Sequence, residues 1–276
     1  MKVSAFQLDP SDLRKSILAH GFECGPLCSA GPSRKRQVWT DGAVVIRVSA
    51  TQDVLRNGVE DELEWARRIG AVVPAQAPLA GPIHLPGALA TIWEWLDGEP
   101  VMPEHAAAHG ALLRSLHDHG GRPPAGYATG DQLDSARMRL SLVGNDELRL
   151  VLAGLVEHAA TLLSLADAGR PVLSHGDAHD RNLLVVNGVV HILDFDSAGW
   201  AARHVDVASG MYAWRHNHHS EIAVQAFLHG YGPHPDLPAS LLNALVWVRR
   251  VRATCTRAAA GENVAVRVQE LQSTRP

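Results

Sequence analysis

Apolar positions repeat along this chain with two different periods, and the change of period marks its organisation. Over residues 9–20, Leu13, Ile17 and Leu18 form a helical stripe, with Asp9 or Ser11 to cap it and Gly21 to stop it. Residues 37–40 and 43–49 read as strands joined by the hairpin signal Asp41-Gly42. In the second of these Val44, Ile46 and Val48 make one apolar face, and Arg47 projects from the other. A helix is predicted over 59–69, followed by a Pro/Gly-rich connector over 72–88 and a further strand over 89–96. The turn Asp97-Gly98-Glu99-Pro100 then divides the chain into two lobes, 1–96 and 97–276.

Past that turn the period becomes helical. Leu112, Leu113 and Leu116 mark a helix over 105–119, and Val151, Leu152, Leu155, Ala159, Leu162 and Leu163 mark another over 147–166. Two short apolar strands, 183–186 and 189–193, flank Asn187-Gly188, a second tight hairpin. Apolar stretches around 205–214, 221–229 and 237–260 read as further helices. A sheet-rich N-terminal lobe followed by a larger helical lobe containing one hairpin is an α+β architecture.

Composition narrows the function. With 276 residues, 46% hydrophobic, and a net charge of −4, the chain can bury a sizeable core and lacks the basic surface expected of a nucleic-acid binder. No apolar run reaches the length of a membrane span, and the first residues lack the apolar core of a secretory signal, so a soluble cytoplasmic protein is expected, monomeric or dimeric. Three cysteines, Cys24, Cys28 and Cys255, are too few for a disulfide framework and are expected to be reduced.

Polar side chains concentrate at one place. A short strand over 171–173 delivers a loop containing His175, Asp177, His179, Asp180 and Asn182, and the hairpin returns the chain to Asp194. Strands joined by a two-residue turn bring their ends together, so the Asn182 amide and the Asp194 carboxylate could share one ion. With phosphate oxygens they would make the hard oxygen set that Mg²⁺ prefers.

His175-Gly176-Asp177 with Asn182 five residues further on, followed by Leu193-Asp194-Phe195-Asp196, resembles the aminoglycoside phosphotransferase and choline kinase family, whose fold is protein-kinase-like and bilobal. The spacing is that of the kinase catalytic loop and its metal-binding aspartate. The resemblance implies an ATP- or GTP-dependent transfer of a γ-phosphoryl group to a hydroxyl of an antibiotic or metabolite. The first lobe would bind the nucleotide, and the second would hold the catalytic loop and the acceptor. Asp177 would be the catalytic base, and Asn182 and Asp194 the Mg²⁺ ligands. Arg47, in Val44-Val45-Ile46-Arg47, stands where the family's strand lysine would, with Glu62 as its partner. Glu94 and Leu96 lie in a segment resembling the interlobe hinge. Val205-Asp206-Val207 resembles the segment whose aspartate braces the catalytic loop, and His175 is expected to support that loop.

Three features depart from the family pattern. Arginine replaces lysine at position 47, where a guanidinium can still contact phosphates bidentately. The phosphate loop lacks the full glycine motif, leaving Gly31 and Ser33 as its candidate contacts. Trp93 is bulky for a residue guarding the adenine pocket. Two alternatives stay open: a pseudokinase-like nucleotide-binding module without transfer, and a metallophosphatase suggested by Gly176-Asp177 followed by Asp180-Arg181. The His216-Asn217-His218-His219 cluster reads as a solvated loop between helices, or an adventitious metal binder, rather than a functional site. From residue 198 onward eight arginines face five acids, which predicts an acceptor with few positive charges unless Asp131, Asp134, Asp146 and Glu147 supply an acidic wall.

Overall fold

The computed structural model describes residues 9–30, 36–50, 58–125, 133–166, 170–234 and 237–276. In chain order the first elements are α1 (Pro10–Ala19), β1 (Cys28–Ser29), β2 (Gln37–Thr40), β3 (Val44–Ala50), α2 (Val59–Gly70), β4 (Pro78–Leu85), β5 (Ala88–Glu94) and β6 (Glu99–Pro100). There follow α3 (Ala106–His119), α4 (Asp134–Leu140), α5 (Asp146–Ala166), β7 (Val172–Ser174), β8 (Leu183–Val186), β9 (Val189–Ile192) and β10 (Gly199–Ala201). The chain ends in α6 (His204–Tyr212), α7 (Glu221–Tyr231), α8 (Ala239–Ala259) and α9 (Ala265–Ser273).

Two compact units result. The first contains Met1–Pro100 and Leu183–Ala198, the second Val101–Asn182 and Gly199–Pro276. The hairpin β8–β9, expected within the second lobe, thus groups with the first unit, because Glu99 and Pro100 pair antiparallel with Val185 and Leu184. The break accordingly falls at Pro100 rather than at 96. Asn187 and Gly188 both take positive φ, 51° and 78°, which is the backbone a two-residue hairpin turn requires.

The first unit is built on an antiparallel sheet of order β1-β2-β3-β5-β4. Leu13 and Ile17 of α1 pack with Ile46, Val48, Ala90 and Ile92 to form its core. The capped, Pro-started α1 has the predicted bounds to within a residue: Asp9 accepts from the Ser11 amide, and Pro10 opens the helix. The stretch 72–88 is not simply a connector, because it contains the eight-residue edge strand β4. Its prolines are tolerated there because β4 pairs on one side only, with β5, through two register shifts.

The second unit is helical apart from the antiparallel pair β7–β10. One core joins α5, α8 and α9 through Leu152, Val156, Leu245, Val251 and Leu271. Helices α3 and α7 cross at backbone contact: a Cβ on Gly110 would lie 2.1 Å from the Phe227 carbonyl oxygen, and one on Gly230 2.0 Å from that of Ala107. After α6 the helix widens into a π-turn over Ala213–Asn217. His216 and Asn217 are therefore helical, which corrects their reading as a solvated loop. The i→i+5 spacing of this turn leaves no simple periodic trace in the sequence.

Candidate active site

In the second unit β7 ends at Ser174, and the chain turns at Gly176, whose φ is +79°. Asp206, on α6 and fully buried, holds this turn from below. Its Oδ2 accepts from the Ser174 hydroxyl (2.9 Å), the His175 amide (2.8 Å) and His117 Nε2 (3.1 Å), and its Oδ1 accepts from the Gly176 amide (2.7 Å). His117 is fixed in turn by the Tyr231 hydroxyl at 2.8 Å. Burial alone would raise the Asp206 pKa, but the His117 hydrogen bond and charge, with the His175 amide, bring it below the ordinary value.

Asp177 follows directly, and its backbone is locked: its carbonyl accepts from the His179 amide (2.8 Å) and from Asn182 Nδ2 (3.1 Å). Because Asn182 spends its amide NH₂ on that bond, its Oδ1 is the atom it can offer a cation. The Asp177 carboxylate accepts through Oδ1 from Arg249 Nη2 on α8, and His179 Nε2 lies 3.7 Å from Oδ2. Burial pushes the Asp177 pKa up, but Arg249 first, then His179 and Arg252, carry it well below the carboxylate range. Asp180 accepts from Asn217 Nδ2 (2.7 Å) and His218 Nε2 (3.1 Å), so part of the histidine cluster secures the loop that holds Asp177. His216 is pushed down to about 4 by burial and by Arg250, Arg215 and Arg267.

The first unit carries a separate charged cluster. Arg47 on β3 donates to Glu62 Oε1 (3.1 Å) and Gln76 Oε1 (2.6 Å), and Gln76 Nε2 donates to the Glu94 carbonyl (2.8 Å). Arg36 donates to the same Glu62 oxygen at 2.9 Å and lies 4.0 Å from Asp196 Oδ2. Trp93 bonds Thr91 Oγ1 (2.8 Å) and stacks on Phe195, ring centres 6.0 Å apart, so it fills the core beside Arg47. Asp194 adopts φ +63°, a left-handed backbone unusual for a non-glycine residue and one that recurs at functional sites. Burial lowers the Arg47 pKa, opposed first by Asp194 and then by Glu62. Arg36 ends above the ordinary value, burial being outweighed by Glu62, Asp194 and Asp196. The negative charges of Glu62, Asp194 and Asp196 are thus felt by the two guanidiniums of this cluster.

Leu96 is half-buried in the irregular stretch after β5, and Gly31 and Ser33 lie outside the described residues. Sequence reasoning missed Arg36, Gln76 and Arg249. Arg36 sits in a polar run with no motif, and Arg249 meets Asp177 across 72 residues, so only the fold reveals either contact. Among the described residues no group of three or more His, Cys, Asp or Glu side chains is arranged to hold a metal, and the histidine cluster forms no such site.

The phosphotransferase enzyme family model matches residues 29–241. No curated protein matches the chain by sequence. Among solved structures, the amicoumacin kinase hAmiN in complex with AMP-PNP, Ca²⁺ and Ami superposes with a TM-score of 0.69 at 16% identity, covering 95% of this chain and 93% of its own. A microcompartment-associated aminopropanol kinase gives 0.68 at 18% identity over 96% and 94%. The choline kinase LicA from Streptococcus pneumoniae gives 0.70 at 13% identity over 95% and 97%. These likenesses establish a protein-kinase-like α+β fold. By the extent of the family match, the chain belongs to the phosphotransferase enzyme family.

Proposed function

We propose that this protein is a Mg²⁺-dependent O-phosphotransferase that uses ATP or GTP to phosphorylate a hydroxyl of a small molecule, an antibiotic or a metabolite, in the cytoplasm. One observation carries the reading: a carboxylate, Asp177, is kept ionised on a loop whose backbone Asp206 fixes from below. No helix among the described residues is long and apolar enough to cross a membrane.

In this reading Asp177 aligns the acceptor hydroxyl and takes its proton as the new O–P bond forms and the bond from the γ-phosphorus to the bridging oxygen breaks. A carboxylate so weakly basic accepts that proton late, which suits a transition state with little bonding to the nucleophile. Asn182 Oδ1 and the Asp194 carboxylate would hold Mg²⁺, and their hard oxygen chemistry fits it. The ion would neutralise charge on the nucleotide phosphates. Arg47 contributes its guanidinium to those phosphates, with Glu62 and Gln76 holding it in place. The stretch from Glu94 to Leu96 contributes adenine or guanine contacts.

The test is ADP or GDP release with Mg-ATP or Mg-GTP over a panel of hydroxyl acceptors. Asp177→Ala should lower kcat about 10²–10⁴-fold while nucleotide affinity stays within about threefold. A kcat within threefold of the parent would remove Asp177 from the role. Nucleotide binding without release for any acceptor would identify a binding module without transfer.

A further inference from the structure

The basic residues of the second unit are not equally committed. Arg215, Arg250 and Arg257 each have a glutamate of their own: Glu221 at 2.6 Å, Glu270 at 2.6 Å and Glu262 at 2.9 Å. Asp134 and Asp146, two candidates for an acidic acceptor wall, lie by Arg137 (3.9 Å) and Arg149 (2.7 Å), so they bring little unpaired negative charge. Arg249 differs. Its carboxylate partner is Asp177, the residue the transfer reaction needs. Its Nε is buried and makes no hydrogen bond among the described residues, so the guanidinium holds a donor beyond the one that Asp177 uses. Arg252, one helical turn further along α8, adds its charge to the same carboxylate.

We infer that the acceptor carries an anionic group, a carboxylate or a phosphate, near the hydroxyl to be phosphorylated, and that Arg249, supported by Arg252, is the residue that selects it. This rests on the phosphotransferase reading above. A guanidinium presents a planar fork that matches either anion, and a buried donor without a partner is costly until an acceptor oxygen reaches it. When the acceptor's anion takes the Arg249 fork, Oδ1 of Asp177 is released to accept the hydroxyl proton. The acceptor thereby opens the base it uses. A cationic acceptor has the reverse effect: its ammonium meets two arginines and competes for the one carboxylate that must bind the hydroxyl. No bond is made or broken beyond those of phosphoryl transfer itself.

The experiment measures kcat/KM, by ADP release with Mg-ATP, over charge-matched acceptors. Glycerate is set against its amide, 4-hydroxybutyrate against its amide, glycerol 3-phosphate against glycerol, and ethanolamine and choline supply the cations. The carboxylate and phosphate arms separate the two anion sources. The expected result is a preference of at least about tenfold for the anionic member of a pair. In Arg249→Gln that ratio should fall below about threefold, with an intermediate ratio in Arg249→Lys, which keeps a point charge but loses the fork. Arg252→Gln should lower the ratio as well, and it serves if the Arg249 variants do not fold. Preference for the neutral or cationic members overturns the inference, as does an unchanged ratio in Arg249→Gln. So does turnover of other hydroxyl acceptors with none of the anionic members. Mg-ATP binding without turnover of any acceptor, or loss of Mg-ATP binding by the parent, would instead overturn the phosphotransferase reading, so the two failures are distinguishable.

Discussion

The guanidinium carbon of Arg47 lies 4.4 Å from the centre of the Trp93 ring, so the bulky residue opposite β3 works as a platform for the cation. Arg47 is thereby held on three sides, by the ring, by Glu62 and by Gln76. If it serves the nucleotide phosphates, Arg47→Ala should weaken nucleotide affinity about tenfold or more, which is about 1.4 kcal/mol. Arg47→Lys should fall between, because lysine supplies charge without the planar fork. Glu62 keeps Arg36 as a partner in both variants, so the fold should survive. Calorimetric titration with a non-hydrolysable nucleotide reads the outcome, and equal affinity in all three forms would place Arg47 outside the phosphate site.

Asn182 and Asp194 should differ from Arg47 in what they change. Replacing either with alanine removes one of few protein oxygens from the proposed ion, so the Mg²⁺ concentration for half-maximal activity should rise several-fold, more for the carboxylate than for the amide. Asn182→Ala also frees the Asp177 carbonyl, which adds a loss of kcat. Titrating Mg²⁺ at fixed nucleotide separates the two effects. An unchanged half-saturation in both variants rejects the assignment.

These roles could be framed from sequence because short-range chemistry leaves short-range traces. Asp41-Gly42 and Asn187-Gly188 announce their hairpins, and the five-residue spacing from Asp177 to Asn182 is fixed by one loop and a 3₁₀ turn. What was illegible is non-local. β4 was hidden because Pro78, Gly81 and Pro82 signal a loop, and only its position at the sheet edge lets them stand in a strand. Arg36 and Gln76 converge on Glu62 and Arg47 from 26 and 29 residues away, and α8 brings Arg249 to Asp177 with no pattern beyond a run of arginines.

The crossing of α3 and α7 predicts a stability effect with a functional consequence. A methyl group on Gly230 or Gly110 would meet backbone, which cannot rotate away, so the helices must separate. Gly230→Ala should cost about 2 kcal/mol or more, seen as a lowered midpoint in urea. α3 carries His117, which holds Asp206, so activity should fall further than the unfolded fraction accounts for. Gly154→Ala on α5, where a Cβ meets nothing within 4 Å, should be neutral or slightly stabilising. Equal stability of the two variants would show that the helices are not in backbone contact.

His109 on α3 predicts a pH dependence. It is fully buried, its ring lies against Phe227 (4.9 Å between centres) and edge-on to Trp214 (6.0 Å), and neither ring nitrogen has a hydrogen-bond partner among the described residues. Burial pushes its pKa down to about 3, with nearby Asp206 opposing the shift too weakly to reverse it. Above the unfolded value of about 6.5 both states are neutral here and the residue adds no pH dependence. Below that value the unfolded chain takes up a proton that the folded chain refuses, so stability falls as the pH falls, until the folded state titrates near 3. His109→Leu removes this effect and also two unsatisfied nitrogens, so at pH 7.5 it should be neutral or stabilising. Between pH 7.5 and pH 5 the variant should gain about 2 kcal/mol relative to the parent, since each pH unit below 6.5 contributes about 1.4 kcal/mol. Urea unfolding of both proteins at the two pH values measures the difference directly. His179 and His216 titrate in parent and variant alike and cancel in the comparison. A relative gain below about 0.5 kcal/mol would mean that His109 reaches water or a partner in solution, and the dry environment assigned to it would have to be abandoned.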